Sequence, residues 1–295
     1  MKQRFNKKRI LGLLSFLLVC TFASAQDVKF GIRAGLNLPN ITAGGTNTPV
    51  SEGYSSRLAG GGGLFTEVGL AKNWAIRFGV EYSGQGGKKD GMQAMPSRRL
   101  ITGMANEMGM SVDAQTMAIL TQTAAELPTY YYADIDNTTK FDYVMIPILA
   151  QYTWNLGSSP WSLYVNAGPF VSFLVSGKQV SEGTSYMYTD ASGQKKIWDD
   201  IDPALQLQLQ TALPALAETL ENPYTFGENN ITGEMKSTNF GITGNIGVRY
   251  QCGRNFFFLE AGGNYGLITV QQDSQNGTNR LGAGSLMLGY AISWF

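Results

Sequence analysis

The sequence predicts an all-β fold: an eight-stranded antiparallel transmembrane β-barrel carrying two large, partly helical extracellular loop insertions. Three observations predict it. Segments of about 10 residues alternate in character with period two, the mark of strands with unlike faces. The face opposite the apolar one carries Gly, Asn, Thr and Ser with a few charges, where a face washed by water would carry many Lys and Glu. Tight turns alternate with long connections along the chain, as in outer-membrane barrels. Beyond the N-terminal stretch no run of 18 apolar residues occurs, so no helical span is expected.

Residues 1–25 read as a signal peptide and 26–295 as the barrel, with loop insertions at about 85–140 and 178–236. Lys2, Arg4, Lys7, Lys8 and Arg9 precede an apolar run from Ile10 to Phe22, and Ala23-Ser24-Ala25 supplies small residues for cleavage before Gln26. A signal anchor is disfavoured because the run is short for a spanning helix. A lipoprotein reading through Cys20 is disfavoured by the bulky Val19 before it. Removing those five basic residues from a chain of 22 basic and 22 acidic residues leaves an excess of about five negative charges, which argues against a nucleic-acid partner. Only Cys252 survives cleavage, so no intrachain disulfide is expected, and the chain has no His.

The strands follow in order. The first, from about Val28 to Leu38, places Phe30, Ile32, Ala34 and Leu36 outward and Lys29, Arg33 and Asn37 inward. The second covers roughly Arg57 to Leu70, with Leu64, Val68 and Leu70 alternating with Gly63, Phe65 and Glu67; its run Gly60 to Gly63 admits bulky neighbours or sharpens curvature. After Ala71-Lys72-Asn73, the third sets Trp74, Ile76, Phe78, Val80 and Tyr82 against Ala75, Arg77, Gly79, Glu81 and Ser83. The fourth, Phe141 to Asn155, directs Val144, Ile146, Ile148, Ala150, Tyr152 and Trp154 outward. The fifth directs Trp161, Leu163, Val165, Ala167, Val171 and Phe173 outward, and Ser162, Asn166 and Ser172 inward. The sixth and seventh form a hairpin from Asn239 to Leu267 around Cys252-Gly253-Arg254, with Phe240, Ile242, Ile246, Val248, Tyr250, Phe257, Leu259 and Tyr265 on one face and Arg249 and Glu260 on the other. The eighth turns Leu286, Leu288, Tyr290, Ile292 and Trp294 to lipid.

Short turns mark the periplasmic end, so both termini are expected in the periplasm. A membrane girdle is expected at two levels: Trp74, Trp154, Trp161, Tyr250, Phe257 and Trp294 near the short turns, and Tyr82, Phe173, Phe240 and Tyr265 toward the other end. Pro147 and Pro169 each remove a ladder donor and are expected at a bulge or near a rim.

Phe30-Gly31-Ile32-Arg33-Ala34-Gly35-Leu36-Asn37, Ile146-Pro147-Ile148-Leu149, Ala167-Gly168-Pro169 and the closing strand with Leu288-Gly289-Tyr290 together resemble the PorT-like outer-membrane β-barrel proteins of Bacteroidetes-type bacteria. The resemblance covers the eight strands but not the insertions. It implies an outer-membrane barrel, and one namesake is similar to components needed for protein secretion. Phe295 ends the chain as barrel-assembly signals prefer, although the alternation puts Trp294 on the lipid face.

The inward charges Lys29, Arg33, Glu67, Arg77, Glu81, Arg249 and Glu260 are expected to form a lumenal charge network. An eight-stranded interior is only wide enough for side chains, and buried charges must pair, so a plug is favoured over a solute path or proton relay. The insertions read as amphipathic helices at Ser97 to Leu127, with Met104, Met108, Ile119 and Leu120, and at Ile197 to Leu220, with a start at Asp202-Pro203 and a break at Pro214. Two roles are open for them: binding a partner, polysaccharide or nutrient, or capping the barrel mouth. Tyr130, Tyr131, Tyr132, Tyr186 and Tyr188 point to strands that continue past the membrane, with a carbohydrate-stacking site as a second use.

Catalysis has little support: without His there is no Ser-His triad and no His-ligated metal. Asp134, Asp136, Asp199, Asp200 and Asp202 fit no defined calcium loop, and Gly60 to Gly63 are not a phosphate cradle. The expected role is a non-enzymatic structural or interaction protein without cofactor or metal. Its expected partners are outer-membrane lipid, the barrel-assembly machinery during biogenesis, and an extracellular or periplasmic protein. Alternatives are an accessory of a secretion or transport complex, a loop-sited hydrolase, and a soluble lipocalin-like binder.

Overall fold

In the computed structural model, residues 27–43, 48–101 and 113–294 are described. The chain runs β1 (Val28–Ala43), β2 (Ala59–Gly69), β3 (Trp74–Lys89), β4 (Met92–Pro96), α1 (Ala114–Glu126), β5 (Tyr130–Asp134), β6 (Asp136–Asn155), β7 (Trp161–Glu182), β8 (Thr184–Ser185), α2 (Pro203–Ala212), α3 (Pro214–Glu221), β9 (Tyr224–Thr225), β10 (Glu228–Asn230), β11 (Thr238–Cys252), β12 (Asn255–Gly266) and β13 (Asn279–Ser293). Residues 1–25, expected to be a signal peptide, Met104, Met108 and Phe295 lie outside the described residues.

Eight of these strands close a ring. β7 pairs with β11, followed by β12, β13, β1, β2, β3 and β6, and β6 pairs back onto β7. Every ladder is antiparallel. Closure is what lets strands cross hydrocarbon, where each unpaired N–H or C=O costs several kcal/mol. The connections β2–β3, β6–β7 and β11–β12 are short, and the other four are long. Both ends of the described chain meet at the short-turn side, where the Trp294 N–H donates to the Val28 carbonyl.

The orientation of side chains is decided by exposure. Trp74, Ile246 and Leu288 are 52%, 60% and 67% exposed on the outer wall, while Arg77 and Arg249 are 1% and 5% exposed inside. Aromatic contacts run round the short-turn rim: Trp74 on Tyr152, Tyr152 on Trp154, Trp161 on Tyr250, Phe257 on Tyr290 and Phe30 on Trp294. Tyr152, Tyr290 and Phe30 thus join the expected rim. At the other level Tyr82, Phe173 and Phe240 are exposed and Tyr265 half-buried, with the Tyr82 hydroxyl donating to Asp142. Val68, expected on lipid, is buried together with its register partner Val28.

Three strands run well past the expected membrane segments. β3 continues to Lys89, β6 starts at Asp136 and β7 ends at Glu182, inside the ranges expected as loops. Their polar, Gly-rich sequence lacks the lipid-facing pattern, but ladder pairing with the neighbour overrides local propensity: Lys89 pairs with Asn137, and Asp136 with Glu182. A bulge between Asp142 and Tyr143 leaves Val175 as the extra residue of β7.

Pro147 and Pro169 sit at neither bulge nor rim. The β6–β7 ladder lapses between Pro147↔Phe170 and Ala150↔Ala167 without a change of register, and the β3–β6 ladder lapses between Phe78↔Ile148 and Glu81↔Met145. The missing proline donors therefore leave a gap in an otherwise regular wall. β6 also departs from the expected alternation of character, since its inward residues Phe141, Tyr143, Met145 and Leu149 are apolar as well.

Large inward rings are accommodated by glycines directly opposite in the register. Phe65 faces Gly31, Tyr164 faces Gly247, Phe170 faces Gly241 and Phe258 faces Gly289. A Cβ at any of these glycines would run into the facing ring. Gly247→Val is expected to displace Tyr164 and cost about 1–3 kcal/mol, lowering the temperature at which the folded barrel shifts its gel mobility. Gly244→Val, whose Cβ meets only ordinary contacts at 3.6 Å and beyond, is expected to leave that temperature nearly unchanged.

Candidate functional site

Inward side chains from six strands meet in one lumenal charge cluster. Lys29 and Arg33 come from β1, Glu67 from β2, Arg77 and Glu81 from β3, Arg249 from β11 and Glu260 from β12, so the ring brings five strands of the wall to it directly, with β7 adding Tyr164 and Asn166. Arg33 grips Glu81 through two bonds of 2.9 and 2.6 Å and also donates to Glu260. Arg77 donates to Glu260 at 2.6 Å, and Arg249 is bidentate to Glu67 at 3.0 and 2.6 Å. Lys29 lies 3.3 Å from Glu67 and donates to Asp27, a residue absent from the expected set that brings the acids to the same number as the bases.

Polar and aromatic neighbours enclose the cluster within the wall. Tyr164 donates its hydroxyl to Glu260 at 2.9 Å, Asn166 donates to the same oxygen at 3.2 Å, and Asn245 donates to Asn166. The Arg77 guanidinium stacks over Phe65, Tyr164 and Phe258 at 4.5, 5.3 and 5.3 Å from their centroids. The sequence pattern places Phe65 on the inner face but gives it no role; Tyr164, lying between Leu163 and Val165 on the inward parity, is the further signal it holds. Below the cluster a polar cup of about 480 Å³ opens at the short-turn end, lined by Lys29, Glu67, Lys72, Arg249 and Arg254. Above it a void of about 10 Å³ beside Ser83, Gln85, Tyr143 and Asn239 holds no more than one water.

A cap stands over the long-loop end, built jointly by both insertions. Ile119 and Leu120 of α1, Leu205 and Leu209 of α2, and Leu216 and Leu220 of α3 pack with Tyr131, Ala133, Met187, Ile197 and Trp198 in one apolar core. Asp202 caps α2 by accepting from the Ala204 N–H, and Pro203 and Pro214 start α2 and α3 at the expected places. Asp200 pairs with Lys195 at 2.5 Å rather than joining the other acids. Burial raises the pKa of the Tyr131 hydroxyl, which donates to the Met95 sulfur at 3.1 Å. A second apolar layer of Ile41, Phe141, Tyr143, Ile231, Met235, Val270 and Leu281 joins cap to barrel. Between the two, a void of about 50 Å³ is lined by Tyr54, Lys89, Gln93 and Arg99.

The family described as outer membrane protein beta-barrel domain matches residues 22–272. The chain belongs to that family. Its place is accordingly the outer membrane. No curated protein sequence matches the chain. Among solved structures, it is similar to Neisserial surface protein A (13% identity, 89% of this chain and 96% of that one, TM-score 0.35), to Ail, the attachment invasion locus protein of Yersinia pestis (10% identity, 91% and 100%, TM-score 0.32), and to the outer membrane protease OmpT of Escherichia coli (8% identity, 92% and 98%, TM-score 0.41).

Glu260→Gln keeps shape but leaves Arg33 and Arg77 short of countercharge, with an expected cost of about 3–5 kcal/mol in urea unfolding of the lipid-inserted barrel. Adding Arg77→Met is expected to cost less than the two single changes summed. In a planar bilayer the unmodified protein is expected to pass no steady current.

Proposed function

We propose that the protein is a non-enzymatic recognition protein of the cell surface, in which the barrel anchors and the cap presents. The observation that supports this reading is the shared apolar core of the two insertions, standing above a lumen filled by paired charges. A filled lumen gives solutes no path, whereas a folded cap offers a fixed surface, and loops on a rigid scaffold are where binding residues concentrate. Short turns then face the periplasm, and the aromatic rims hold the barrel in lipid. The expected partners are outer-membrane lipid, the assembly machinery during biogenesis and a ligand outside the cell, with nucleic acid disfavoured by charge.

A second reading follows from the polar cup at the short-turn end, with Lys72 and Arg254 at its mouth. It makes the barrel an accessory of a secretion or transport complex that docks a periplasmic partner, the role of one namesake among the PorT-like barrels.

Cysteine labelling tests the orientation on which the first reading depends. Cys252 is exposed on the short-turn side and Ser192 is exposed on the cap. A bulky polyethylene-glycol maleimide added to intact cells is expected to leave Cys252 unmodified and to modify Ser192→Cys in a Cys252→Ser background. Labelling of Cys252 alone would remove the surface-recognition reading.

A further inference from the structure

We infer that one face of the small sheet in the cap binds carbohydrate, with Tyr130, Tyr132, Tyr186 and Tyr188 as the stacking platform and Lys196 as its polar edge. The inference rests on the reading of the cap as an outward recognition surface and names the class of ligand.

The sheet is built so that its two faces differ. β4 pairs with β5, Tyr132 of β5 bridges to Tyr188, and Tyr188 bridges to Lys196. Tyr131, Ala133, Met187 and Ile197, which alternate with these residues, point the other way into the apolar core of the cap. That leaves Tyr130, Tyr132, Tyr186, Tyr188 and Lys196 on the opposite face, all half-buried. The Tyr186 and Tyr188 rings lie 6.5 Å apart, and the Lys196 ammonium sits 3.6 Å over the Tyr186 ring.

Three features favour sugar over other occupants. First, the four hydroxyls make no hydrogen bond among the described residues and are left to a ligand. A pyranose presents an apolar C–H face ringed by hydroxyls, and so matches ring faces bordered by free phenolic donors and acceptors. Second, the Lys196 ammonium has no carboxylate partner among the described residues, which leaves its donors for ring substituents of the ligand. Third, four half-buried tyrosines expose at most about 300 Å², well short of the roughly 800 Å² per partner of a stable protein interface.

The test uses the full chain in detergent micelles, titrated calorimetrically with dextran, yeast mannan and hyaluronan, which are neutral glucan, neutral mannan and uronate-bearing probes. At least one of the three is expected to bind. Tyr132→Ala with Tyr188→Ala is expected to weaken that binding at least 10-fold, and Tyr132→Phe with Tyr188→Phe by less. Leu207→Ala, an exposed position on α2, is expected to leave it unchanged. Retention of the heat-dependent gel shift shows that each variant is folded. Absence of binding to all three probes, or equal binding by the double alanine variant, overturns the inference. If either result comes with surface labelling of Ser192→Cys, the recognition reading stands and only the ligand class falls; without that labelling, the recognition reading falls as well.

Discussion

An eight-stranded ring encloses a space only as wide as the side chains that fill it. Each large inward group must therefore face something small, and the pairs Phe65–Gly31, Tyr164–Gly247, Phe170–Gly241 and Phe258–Gly289 are that requirement met four times across three ladders. The glycines weaken their strands individually, through lost packing and backbone entropy. Their cost is offset because the ring laid over each one restores contact and excludes water. The same crowding places Arg77 between three aromatic faces and two carboxylates, where its charge is held without bulk water.

The charge cluster is best understood as filling chosen for polarity. A buried ion network contributes little net stability compared with apolar residues of the same volume, but breaking it is costly. In a barrel whose outer wall is apolar, an apolar lumen would leave the two faces of each strand alike. Inward charges such as Arg249 and Glu260 make a one-residue slip expensive, because it would turn them toward lipid. Bidentate geometry at Arg33–Glu81 and Arg249–Glu67 adds a preferred alignment between strands that are not neighbours in the ring.

Much of this wall was legible in the sequence because lipid enforces period two. Phe30 to Leu36, Trp74 to Tyr82 and Leu286 to Trp294 show it directly, and the inward charges could be read from the same parity. What could not be read depends on register and on contacts distant in sequence. Gly289 is explained by Phe258 only once β12 and β13 are aligned, and Arg33 meets Glu260 only once the ring has closed. β6 hid its inner face because Tyr143, Met145 and Leu149 are as apolar as their outward neighbours. The helices of the insertions were visible from Asp202-Pro203 and Pro214, but their common core was not, since Ile119 and Leu216 come from separate loops.

The uneven strand lengths set the geometry of what lies above. β2 and β12 have 11 and 12 residues, whereas β6 and β7 have 20 and 22. A tilted strand crosses hydrocarbon in about 9–11 residues, so β6 and β7 each carry on the order of ten residues more, or roughly 30 Å of extended chain. They act as a one-sided mast. The small tyrosine-faced sheet is thereby lifted clear of the lipid head groups on one flank, and anything approaching it meets an overhang rather than a level deck.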